Sequence, residues 1–135
     1  MGKLYRTREG TVTAVDTKTQ LTTVGSETAP GPLLVPASAK TLKAIIAAFG
    51  CDLTVAADGN YIIRLEGPGL PEGPETLVIG GSGVPVATGG VYTAPAQRFD
   101  LDIPVTIANE ILIFGEVVGE DTGSIAIGVT LEFET

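Results

Sequence analysis

Residues 122–135 read TGSIAIGVTLEFET, in which Ile125, Ile127, Val129, Leu131 and Phe133 alternate with Ala126, Gly128, Thr130, Glu132 and Glu134. A period of two puts five apolar side chains on one face of an extended chain, the mark of a half-buried β-strand. The stretch 98–107, RFDLDIPVTI, repeats the pattern, with Phe99, Leu101, Ile103, Val105 and Ile107 opposite Asp100, Asp102, Pro104 and Thr106. Pro104 has no N–H for a ladder and predicts an edge position or a bulge. Between them, EILIFGEVVG (110–119) is apolar on both faces and reads as a strand covered on both sides. Residues 119–123 supply the turn into the last strand.

Working back, NYIIRLEG (60–67) is a further strand, entered through the turn signal Asp58–Gly59–Asn60. GTVTAVDT (10–17) and QLTTVGS (20–26) are two Thr/Val-rich runs that predict a hairpin around residues 17–19. ETLVIGG (75–81) is a short strand, and GVPVATGGVYTAP (83–95) a glycine-broken loop with one more short strand. GPGLPEGPE (67–75), with three Pro and three Gly in nine residues, reads as an irregular surface connection. In SAKTLKAIIAAFG (38–50), Leu42, Ile45, Ile46 and Phe49 fall at helical spacing between the candidate caps Ser38 and Gly50. The same residues also alternate as a strand, and the β context favours that reading, with a short helix at 38–49 as the alternative. The expectation is an all-β chain, an antiparallel jelly-roll-like sandwich or barrel of about eight strands. A flexible basic arm over residues 1–9 is expected ahead of one β-sandwich domain over 10–135.

Composition narrows the function classes. The 135 residues are 44% apolar with 5% aromatics and no Trp, so the core is expected to be aliphatic. Eighteen Gly and nine Pro, about a fifth of the chain, punctuate many turns. Sixteen acidic against eight basic side chains leave a net charge of −8, and Lys3, Arg6, Arg8 and Lys18 are half of the cations. An acidic body repels phosphate backbones, which sets nucleic-acid binding aside. Cys51 is the one cysteine and there is no His, so thiol clusters and imidazole metal sites are outside the chain's chemistry. MGKLYRTREG has no apolar core of a secretory signal, so synthesis as a soluble cytosolic protein is expected. The longest apolar runs fall far short of a membrane span of about 20 residues, and no membrane partner is expected.

Catalysis has little to draw on. Without His, a nucleophilic Ser or Thr needs Lys or a carboxylate as its base, and no Ser occupies a Gly-x-Ser-x-Gly elbow. GGSGVP (80–85) lacks the Lys of a phosphate-binding loop. Carboxylates are the remaining option. Asp100 and Asp102 share a strand face about 7 Å apart, and Glu116, Glu120 and Asp121 gather near a turn. Asp100, Asp102, Glu120 and Asp121 are thus the weak candidates for a hard cation such as Ca²⁺, or for paired acid–base work. The plainer reading is that they alternate outward on amphipathic strands. No cofactor is expected.

The runs LLVPASAKTLKAIIAAFG, NYIIRLEGPGLPEGPE, IPVTIANEILIFGEVVG and GSIAIGVTLEFE together resemble the single jelly-roll proteins of virus capsids and virion decoration proteins. KLYRTR (3–8) ahead of the barrel resembles the basic arms of capsid subunits. Cupins are a poor match, because their metal-binding histidines are absent. The resemblance implies a non-enzymatic, self-assembling structural protein of a virion or assembled shell, a trimer or other cyclic homo-oligomer or a partner of other virion proteins. Its contacts would come from the arm (Lys3, Tyr5, Arg6, Arg8) and from loops around Leu70, Val84, Val91 and Tyr92. The alternative is a β-sandwich module that binds carbohydrate or another surface ligand, with or without calcium.

Ile127→Asp should abolish folding, since it places an unpaired charge on the inward face of the last strand. Soluble protein that still unfolds cooperatively by circular dichroism would show the inward and outward rows to be misassigned.

Overall fold

Strand periodicity carries through to nine strands in the computed structural model, which describes residues 2–12, 17–22, 31–53, 59–71, 77–84, 91–107, 109–118 and 123–135. They are β1 (Lys3–Val12), β2 (Thr19–Gln20), β3 (Leu33–Leu34), β4 (Thr41–Leu53), β5 (Gly59–Glu66), β6 (Leu77–Val84), β7 (Val91–Pro104), β8 (Glu110–Val118) and β9 (Gly123–Glu134). No helix occurs among the described residues. One sheet runs β1-β9-β4-β7 and the other β2-β8-β5-β6, with β3 also on β8. All the pairings are antiparallel. The chain crosses from sheet to sheet at nearly every connection, which is the jelly-roll arrangement.

The two inner faces meet in an aliphatic core. Ile127, Val129, Leu131 and Phe133 of β9 and Leu42, Ile45 and Ala47 of β4 face Ile63 and Leu65 of β5 and Ile111 and Ile113 of β8. Burying each of the larger side chains contributes roughly 1.5–3 kcal/mol, enough to hold the period-two register of β9 against a one-residue slip. The sheets approach closely at Gly115, where a Cβ would lie 2.9 Å from Ile127 Cδ1. On the outer side of β8, Leu112 and Phe114 are half-buried rather than fully covered. Lys18 Nζ, bonded to Glu66 at 2.8 Å, sits 4.5 Å above the Phe114 ring.

Segment 38–49 is strand from Thr41 onward, and the helical alternative is corrected. Its i, i+3 spacing has its cause in the strand pairing. The register of β4 against both β7 and β9 skips Lys43, a bulge that leaves Leu42 and Ile45 both inward. Pro104 ends β7 at the sheet edge, as its missing N–H requires. Ile107, expected to continue the inward row, lies beyond that end and is 47% exposed.

Two further expectations are corrected. The described residues of the two Thr/Val runs do not pair with each other: β1 joins the first sheet and β2 the second. β2 and β3 instead run along the same side of β8. β2 meets it at Phe114 and Gly115 and β3 at Glu110 and Ile111. Residues 3–9, expected as an arm, lie inside β1, which pairs with β9 from Lys3–Glu134 to Val12–Ile125.

The connection after β5 is ordered by its glycines. Gly67 has φ +111°, a conformation other residues adopt only under strain, and a Cβ there would meet the Glu110 carbonyl oxygen at 2.6 Å. Gly69 N donates to the same oxygen at 2.9 Å. Gly67→Ala should therefore lower stability by about 2–4 kcal/mol in urea unfolding; a change below about 0.5 kcal/mol would contradict this backbone placement.

Candidate functional site

The densest polar constellation lies on the outer face of the first sheet, opposite the β9 core row. Register aligns Tyr5 of β1, Glu132 of β9, Ala44 of β4 and Asp100 of β7 in one row across all four strands. Glu132 is 2% exposed although it lies on the outer face, because its neighbours close over it. A carboxylate removed from water must be paired to persist. Tyr5 Oη donates to Glu132 Oε1 at 2.8 Å, and Arg98 donates through Nη2 to Oε2 at 2.6 Å and through Nη1 to Oε1 at 3.4 Å. Lys3 Nζ stands 3.6 Å away. To reach Glu132 from β7, the Arg98 guanidinium crosses β4, whose residue in this row is the fully buried Ala44. A methyl side chain leaves room for that crossing.

Electrostatics follow from this geometry. The Arg98 hydrogen bonds, then the Tyr5 hydroxyl, hold the Glu132 carboxyl down at about 2. Its hydrogen bond to Glu132 raises the Tyr5 phenol above its ordinary value. Arg98 is pushed up by Glu132 and by Asp100, which accepts from Arg98 Nε at 2.8 Å. Near neutral pH, Glu132 has no proton to give and Tyr5 holds its own. Proton transfer needs groups poised near the working pH, so these residues fix charge and geometry instead.

The anticipated residues fall in different places. Asp100 and Asp102 do share the outward face of β7, at 80% and 79% exposure, but each leans on a cation: Arg98 for Asp100, and Lys43 Nζ, at 3.0 Å, for Asp102. That contact raises the Lys43 ammonium above its ordinary value. Among the described residues no three carboxylates or thiols converge on a common point. Lys3 and Tyr5 belong to the Glu132 cluster, whereas Arg6 and Arg8 lie on the inner side of β1. Arg8 donates through Nε to the Gly31 carbonyl at 3.2 Å, and burial, then the Arg6 charge, pushes its guanidinium down. Leu70, expected at a loop tip, is corrected: it is 3% exposed and part of the core. Val84 ends β6 opposite Gly59, and Val91 and Tyr92 open β7 opposite Asp52 and Cys51. Glu120 and Asp121 lie outside the described residues.

Glu132, Arg98 and Lys43 were not singled out from the sequence. Glu132 reads there as one more solvent-facing residue of an alternating strand, and its partners lie 127 and 34 residues away. The one local signal was the isolated Arg98 two residues before Asp100 on an otherwise acidic strand.

No family model matches the chain, and no curated protein matches it. Among solved structures it is similar to a chain of the T=1 particles derived from infectious bursal virus, with a TM-score of 0.32 and 15% identity. The match covers 96% of this chain and 36% of that one, so this chain spans about a third of its length.

Glu132→Gln should lower stability by about 1–3 kcal/mol at pH 7. The folded carboxyl lies below its ordinary 4.5, so its stabilisation is full above that value and is lost as pH falls towards about 2. Thermal unfolding between pH 7 and pH 2 should thus show a wild-type advantage over Glu132→Gln that shrinks below pH 4.5. Curves that stay parallel throughout would remove Glu132 from the acid response.

Proposed function

We propose that this chain is a non-enzymatic structural protein whose copies assemble, a jelly-roll subunit of a virion shell or its decoration. Fold alone does not set function, and jelly rolls serve capsids, lectins and cupins alike. The observation that carries the reading is the pairing of jelly-roll strand order with a sequence devoid of His and Trp. That composition disfavours an imidazole metal site and a tryptophan platform for sugars. The acid–base silence of the Glu132 cluster supports the same side.

A surface for like subunits is available at one end of the sandwich. Leu34 is 57% exposed on β3, paired to Glu110 at the start of β8, and Ile107 precedes that strand by three residues. Val35 N donates to the Asn109 carbonyl at 3.0 Å, so the two segments run side by side. Exposed branched aliphatics on adjoining segments suit a contact that excludes water. Val84, Val91 and Tyr92, where β6 ends and β7 begins, remain the other contact candidates. The partners are further copies of this chain or other shell proteins, and the place of action is the assembled particle.

Solution mass by light scattering, with and without EDTA, followed by negative-stain microscopy, tests this. A closed ring or shell that ignores EDTA is expected, and Leu34→Lys with Ile107→Lys should reduce its mass. A monomer at all concentrations, or an oligomer that dissolves in EDTA, would move the reading to a ligand-binding or calcium-dependent module.

A further inference from the structure

We draw no further inference here: the strongest candidate, the exposed aliphatic patch formed by Leu34 on β3 and Ile107 beyond the end of β7 at one end of the sandwich, belongs to the surface already proposed for like subunits, and nothing in the structure shows what covers it.

Discussion

β9 is hydrogen-bonded on both flanks along its length, to β1 on one side and to β4 on the other, and the fold depends on that double pairing. Its inward row of Ile127, Val129, Leu131 and Phe133 supplies the floor of the core. Its outward row carries Glu132, to which β1 and β7 are both tied. A slip of one residue would exchange these rows, burying carboxylates in the core and exposing the aliphatic set. The opposed chemistry of the two faces therefore locks the register of three strands at once.

The Glu132 cluster extends this lock sideways. Backbone hydrogen bonds join only neighbouring strands, whereas Arg98 spans from β7 to β9 across β4. Ala44 permits the span because it is small, in a row it shares with Tyr5, Glu132 and Asp100. The bulge at Lys43 serves the same arrangement. It lets Lys43 reach Asp102 while Ala44 remains in the Glu132 row and Leu42 and Ile45 both point inward. Charge on this face is thus spent internally. Lys3, Lys43 and Arg98 are committed to carboxylates of their own chain.

Arg6 and Arg8 show how the same residue types take different roles on one strand. Side chains of Lys3 and Tyr5 leave β1 on the outer face and join Glu132, whereas Arg6 and Arg8 leave on the inner face and fold back to backbone carbonyls. A basic N-terminal stretch that looks like a free arm is instead a paired edge strand. The net charge of −8 is compatible with either placement, because charge composition constrains solubility and association but not topology.

Alternation along 98–106 and 123–134 was enough to identify strands, their inward rows and an aliphatic core, because a period of two has one physical cause, burial of one face. Pro104 likewise marked an edge, since a missing N–H acts at its own position. Local signals failed where the cause was not local. The helical spacing at Leu42 and Ile45 came from a bulge set by β7 and β9, the two Thr/Val runs looked like a hairpin until their partners lay in different sheets, and Leu70 sat in a Pro/Gly-rich stretch yet filled the core. Glu132 was the extreme case: its burial and its ionisation depend on side chains from β1 and β7 that only the strand order brings together. The sequence by itself determined which faces are apolar, and so the class of fold. The tertiary structure decided which strands neighbour one another, and with that which charges are paired and which carboxylate is buried, because pairing across more than a hundred residues leaves no periodic trace in the chain.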